Sequence, residues 1–295
     1  MAVAIDPEIL AVRAAMAAAT GPFDIMQLPP AKGRALIDKG ALILNDGLPE
    51  MATVEDHEVD GTRVRVCTPR MLSASGWLYY LHGGGWFACS VDTHDRMLRM
   101  LAELTGAKVV SPDYRHAPEH PYPAPLDDCA KGLAWARAEF GGTFALGGDS
   151  AGANMALALG LRLRDAGRPA VGLALLYGCY APGLATESAR EFGTGAYGLT
   201  DERMQWYWRN YLAGTAALEA TPLRADLAGL PPVFLGIAEA DPVADDSRLL
   251  AEKLDRVELK IWPNATHGFL QMSRDVALAR TAIADIAAAI RTWLA

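Results

Sequence analysis

Short apolar runs alternate with longer amphipathic stretches over most of this chain, and the two periods predict strands and helices in turn. Residues 54–59 and 63–67 read as a hairpin closed by Asp60-Gly61, a pair suited to a tight turn. Strands follow at 77–81, 107–110, 144–146, 170–177, 233–237 and 257–262, which makes eight. Between them lie helical patterns at about 95–104, 126–140, 151–165, 247–254 and 276–293; in the last, Val276, Ala279, Ile283, Ile286 and Ile290 recur at threes and fours. Repeated β-α-β units of this kind predict a mostly parallel sheet with helices on both faces.

Two stretches stand outside the alternation. Asp6-Pro7-Glu8 opens a helix with a side-chain cap, a proline at the first position and an early acid, and Ile5, Ile9, Val12 and Met16 give it one apolar stripe to pack on the body. From Tyr180 to about Leu218 the chain is longer than one crossover needs. There Thr200-Asp201-Glu202 starts a helix, Met204, Tyr207, Trp208 and Tyr211 share its face, and Gly214 ends it. The second stretch reads as a cap inserted into the alternating body.

Composition narrows the classes of function. With 295 residues, 51% apolar and 21% charged, the chain can bury a large core. A net charge of -8 without clustered Lys and Arg argues against nucleic acid as a partner. Cys67, Cys89, Cys129 and Cys179 are too scattered for a zinc site or a disulfide framework and read as reduced core thiols. The first residues lack the basic and apolar regions of a signal peptide, and no segment reads as a membrane span, so a soluble cytoplasmic protein without stable membrane association is expected. Oligomeric state is not legible.

The chemistry centres on Gly148-Asp149-Ser150-Ala151-Gly152, which lies between a predicted strand and a predicted helix. Small neighbours let a serine occupy a turn too tight for larger residues, so the pattern reads as a nucleophile elbow. A serine nucleophile needs a base and the base an orienting acid. Among His57, His82, His94, His116, His120 and His267, the last follows the final strand at its carboxyl end, the edge where parallel sheets bind ligands. Asp241, after the strand 233–237, is the candidate acid, with Glu239, Asp245 and Asp246 as rivals; Asp245 or Asp246 would instead cap the following helix, and Asp149 reads as a structural hydrogen-bonding group. His82-Gly83-Gly84-Gly85-Trp86 follows the strand 77–81 and offers open amides for an oxyanion. Gly84, Gly85 and Ala151 are the expected donors, with Gly83 a further possibility, and His82 is expected to hold the loop.

Together HGGGW at His82, SPDYRHAPEHPYPAPLDD from Ser111 to Asp128, GGDSAG at Gly147, DPVADD at Asp241 and HGF at His267 resemble the hormone-sensitive-lipase-like branch of the α/β-hydrolase family. The resemblance runs from about Trp77 to His267, with His116 where the family pattern usually has Leu and Trp86 where Phe is common. It implies an α/β-hydrolase fold with a helical cap, and Ser150, Asp241 and His267 as a catalytic triad. It divides the chain into 1–45 as the N-terminal part of the cap, 46–179 and 219–295 as the two parts of the core, and 180–218 as the cap insertion.

The expected activity is hydrolysis of short to medium acyl esters through an acyl-enzyme, with a small-molecule ester as partner and no cofactor or metal. A formamide or amide hydrolase of kynurenine-formamidase type shares HGGxW and a serine elbow, and a non-catalytic small-molecule receptor is the alternative of another class. Trp86, Phe87, Tyr180, Tyr197, Trp206 and Tyr207 are the candidate walls of the substrate pocket.

Overall fold

A computed structural model of the protein describes residues 3–295. Eight strands form one sheet: β1 (Thr53–Val59), β2 (Thr62–Thr68), β3 (Trp77–Leu81), β4 (Lys108–Pro112), β5 (Phe144–Asp149), β6 (Leu173–Leu176), β7 (Val233–Ala240) and β8 (Val257–Thr266). Their order across the sheet is β1-β2-β4-β3-β5-β6-β7-β8; the β1–β2 and β2–β4 pairs are antiparallel and all others parallel. The helices are α1 (Pro7–Thr20), α2 (Pro30–Leu42), α3 (Asp95–Thr105), α4 (Ala124–Phe140), α5 (Ala151–Asp165), α6 (Glu187–Phe192), α7 (Asp201–Leu212), α8 (Ala244–Ala251) and α9 (Ala277–Leu294).

Period-two alternation in the central strands splits the core into two layers. Tyr79, Leu81, Leu146, Leu175 and Leu235 face one side, against Leu126 and Leu133 of α4 and the almost wholly buried α5. Leu78, Tyr80, Ala145, Ala174 and Phe234 face the other, against Leu98 and Leu101 of α3 and the Ile283, Ile286, Ile290 stripe of α9. Because both faces are covered, the central strands are apolar throughout, as parallel strands must be.

Several expectations are displaced. The helix predicted at 247–254 is α8, which starts at Ala244, because Asp241 Oδ1 accepts the Val243 amide at 3.0 Å and turns the chain at once. Asp245 and Asp246 therefore sit in its first turn rather than capping it. Strand β6 keeps only four residues of 170–177, ending where Tyr177 adopts φ 36°. Helix α2 passed unpredicted because glycines at 33 and 40 blur its stripe. The segment Pro7–Gln27 is, by length and composition, apolar enough to cross a membrane, contrary to the reading above. In the fold it divides at Gly21 into the 14-residue α1 and a 3-10 turn, and α1 alone is about 21 Å long, against the ~30 Å of a bilayer core. Its Ile9 and Val12 are buried in the α3–α9 layer, as their spacing predicts.

A close backbone approach fixes the position of the functional edge. A Cβ on Gly152, in the first turn of α5, would lie 2.0 Å from the Leu81 carbonyl oxygen and 2.6 Å from that of His82. One on Gly148 would lie 2.5 Å from the Gly152 backbone. Backbone cannot yield as a side-chain tip can, so Gly152→Ala is expected to destabilise the protein by about 1–3 kcal/mol. A urea midpoint equal to wild type would refute this account of the turn.

Candidate active site

Chain order reverses beside β3: the path goes from β3 to β4 on one side, then crosses to β5 on the other. The crevice at the carboxyl ends of such strands is where open α/β sheets bind ligands. Here the ends of β3, β5, β7 and β8 lead into the glycine loop, Ser150, Asp241 and His267 respectively.

Ser150 has φ 53° and ψ -121°, a backbone conformation that L-residues with side chains avoid. The strain is held by its amide, which donates to Leu176 O of β6 at 2.9 Å, and by the glycine contacts on either side. The serine oxygen thereby points out of the sheet edge and meets His267 Nε2 at 2.8 Å. His267 Nδ1 lies 2.7 Å from Asp241 Oδ2. An ionised carboxylate only accepts, so Nδ1–H donates to Asp241, and Nε2 is left to accept the Ser150 hydroxyl. Asp241 is fully buried. Burial works to lower the His267 pKa, but the charge and hydrogen bond of Asp241 outweigh it and raise the imidazole above its ordinary value. Tyr177, at the end of β6, presses its ring edge-on against the imidazole at 5.2 Å and limits its rotation.

Of the rivals to Asp241, none reaches the histidine. Glu239 accepts the Asn264 amide. Asp245 accepts the Ser188 amide and pairs with Arg248, whereas buried Asp246 accepts the Tyr180 amide at 2.8 Å; both fasten the chain after β6 to α8. With few compensating partners, burial pushes the Asp246 carboxyl up to about 7.

The glycine loop is locked from below by Asp149. Its Oδ1 accepts the Gly83 amide and the Tyr80 hydroxyl, both at 3.0 Å. Burial alone would raise this carboxyl's pKa, but His94, whose Nε2 is 3.4 Å away, and the Tyr80 hydroxyl hold it below the ordinary range. Gly83 thus has its N–H engaged, a correction to its standing as a possible oxyanion donor. The amides of Gly84, Gly85 and Ala151 have no acceptor among the described residues. His82 donates from Nδ1 to Gly83 O at 2.8 Å and stacks on Tyr114, whose hydroxyl donates to His82 O. Burial lowers its pKa to about 4, so it stays neutral and holds the loop. His94 is likewise buried in the Asp149 network, His57 packs on Trp135, and burial takes His116 down to about 3; His120 is exposed.

A cavity of about 730 Å³ opens over Ser150 and His267. Its far wall is built from α1, α2 and the segment 197–207. Tyr197 and Tyr207 line it; Trp86, Phe87, Tyr180 and Trp206 do not. Trp86 is fully buried, stacked on Tyr211 at 4.2 Å and tilted against Trp208, and so clasps α7 to the glycine loop. Phe87 lies between Trp206 and the Arg34 guanidinium of α2, joining both helices to the same loop. Tyr180 is buried beside Gly178, its amide tied to Asp246. These rings are the mortar between cap-side helices and sheet, which their apolar face alone could not distinguish from a substrate wall. Two lining residues escaped the sequence reading, Arg13 and Arg203; the signal was a cation on the inward side of each helix.

Residues 78–271 match a family model described as alpha/beta hydrolase fold. Carboxylesterase NlhH of Mycobacterium tuberculosis is 38% identical over 234 residues, 73% of each chain. An acetyl esterase of Salmonella typhi is 36% identical over 228 residues, covering 70% of this chain and 69% of its own. The crystal structure of an esterase from the bacterial hormone-sensitive lipase family superposes with TM-score 0.90 at 27% identity, over 99% of this chain and 100% of the other. With this sheet order and these relatives, the chain belongs to the α/β-hydrolase fold family, as a serine esterase of its hormone-sensitive-lipase-like branch.

Proposed function

We propose that Ser150 is the nucleophile of this esterase, His267 its general base and then acid, and Asp241 the carboxylate that orients the imidazole. The observation that carries the reading is the unbroken hydrogen-bonded chain from Ser150 Oγ through His267 to Asp241, opening on the cavity. As Oγ bonds to the ester carbon, its proton passes to Nε2 and the carbonyl oxygen becomes an oxyanion facing the free amides of Gly84, Gly85 and Ala151. Collapse breaks the ester C–O bond, and the leaving alcohol takes the proton from Nε2. Water then attacks the acyl-Ser150 carbonyl in the same way, releasing the acid and returning the proton to Oγ. The strained backbone at Ser150 serves this by holding the hydroxyl in line with Nε2 before substrate arrives.

The cavity favours esters of short to medium acyl groups, since its walls close over the serine with α1, α2 and α7. Residues 1–45 and 180–218 act as one cap on a core of 46–179 and 219–295, the two pieces meeting where the Tyr197 hydroxyl donates to Val3 O. That the curated relatives are carboxyl and acetyl esterases supports the same substrate class.

Ser150→Ala should lower kcat on 4-nitrophenyl butyrate by about 10⁵–10⁶-fold with an unchanged unfolding midpoint; retention of more than a few per cent of the rate would remove the serine from the mechanism. Because only neutral His267 can accept the proton and Asp241 raises its pKa, the acidic limb of kcat/KM should lie above the ordinary imidazole value of about 6.5. In Asp241→Asn, burial acts without the opposing carboxylate, so the limb should move to lower pH while kcat falls by about 10³–10⁴-fold; a limb that stays in place would show that another group titrates. Across 4-nitrophenyl esters from acetate to palmitate, kcat/KM should peak at or below about eight acyl carbons, as a pocket of ordinary ligand size dictates; a maximum at the longest chain would refute the proposed acyl range.

A further inference from the structure

The cap wall of the catalytic cavity carries two guanidinium groups with nothing to bind. Arg13 of α1 and Arg203 of α7 both line the cavity that holds Ser150 and His267. Arg13 Nη1 and Arg203 Nε are buried atoms without a hydrogen-bond partner, and neither side chain forms an ion pair or donates a hydrogen bond among the described residues. Other half-buried arginines are answered: Arg34 by Glu119, Arg63 by Asp92 and Asp113, and Arg162 by Glu219. Partners raise the pKa of Arg63 and Arg162, whereas burial alone acts on Arg13 and lowers it. The lone carboxylate in the cavity lining, Asp149, already accepts the Gly83 amide and the Tyr80 hydroxyl under the glycine loop. Hence a chain of net charge -8 turns two unmatched cations toward its substrate.

Their placement is built rather than incidental. The Arg13 guanidinium comes so near Gly198 that a Cβ there would stand 3.0 Å from Nη2, and Gly198 has φ 104°. Arg203 lies one helical turn before Tyr207, whose ring rests on Gly85 of the glycine loop; a Cβ on Gly85 would stand 2.6 Å from it. Both arginines therefore belong to the cap end of a cavity whose core end presents the serine.

We propose that this site, read as the esterase site above, takes esters that carry a carboxylate, with Arg13 and Arg203 binding the anion at the cap while the ester carbonyl lies at Ser150. Guanidinium matches a carboxylate in shape and charge, and in a cavity sheltered from water the pairing is strong. A neutral ester leaves both cations desolvated and unpaired, which selects against it.

The test compares kcat/KM for charged and neutral partners of similar size. On the acyl side the pair is 4-nitrophenyl hydrogen glutarate and 4-nitrophenyl valerate; on the alcohol side it is 4-acetoxybenzoate and methyl 4-acetoxybenzoate. The charged member of at least one pair should be favoured by about tenfold or more, and which pair responds tells which half of the ester bears the anion. In Arg13→Met and Arg203→Met the ratio should fall toward one, chiefly through KM of the charged ester, and Arg13→Lys and Arg203→Lys should retain part of it. The ratio is internal to each protein, so loss of folded enzyme does not mimic the effect. Should the methionine variants not fold, glutarate should compete with 4-nitrophenyl butyrate in wild type and glutaramide should not. Hydrolysis of the neutral esters with ratios at or below one on both pairs overturns the anion assignment alone; so does a preference that survives every arginine substitution. Failure to hydrolyse any ester overturns the esterase reading and this proposal with it.

Discussion

The fold turns on the backbone contact between the first turn of α5 and the end of β3. Gly148 and Gly152 let these segments approach to a separation that admits no side chain, and everything at the sheet edge follows from that distance. It forces Ser150 into a positive φ, aims its hydroxyl away from the sheet and sets the glycine loop beside it. Asp149 completes the arrangement from within the turn, gripping the Gly83 amide so that the next two amides stay free. The elbow and the glycine loop are thus one clamp on neighbouring strands, joined by the Asp149–Gly83 hydrogen bond and the Gly152 contact, and neither keeps its geometry if the other shifts.

The legible parts of the molecule were those whose cause is local. The short apolar run of β3 and the three-and-four spacing in α9 each report surroundings set within a few residues, so the sheet and its helices could be read directly. Ser150, Asp241 and His267 were legible for a related reason: each follows a strand end, and a parallel sheet brings all such ends to one edge. The six aromatic pocket candidates were not resolvable in this way. Trp86 differs from Tyr207 only in what lies opposite, Tyr211 in one case and the cavity in the other, and that depends on how α7 docks. Helix α8 shows the same limit at small scale, since its start is decided by one Asp241 hydrogen bond rather than by its apolar period.

Histidines further separate role from residue type. His94, His116 and Tyr114 gather around His82, yet burial removes charge from His82 and His116, and none of the three histidines hydrogen-bonds Ser150 among the described residues. His267 alone has both a fully buried carboxylate on one nitrogen and a hydroxyl on the other.

Core and cap consequently meet different demands for polar satisfaction. At the sheet edge, Asp149, Asp241 and His82 each have hydrogen-bonding partners that fix their position and, through them, the glycine loop and the His267 imidazole. On the cap, Arg203 stands on α7, held by aromatic contacts, and Arg13 on α1, held by Ile9 and Val12 in the core, and both guanidiniums are left open. In the reading proposed above, charge on the cap binds the anion of the substrate while the strained backbone at the elbow holds Ser150 in line with His267, so the two act at opposite ends of one cavity.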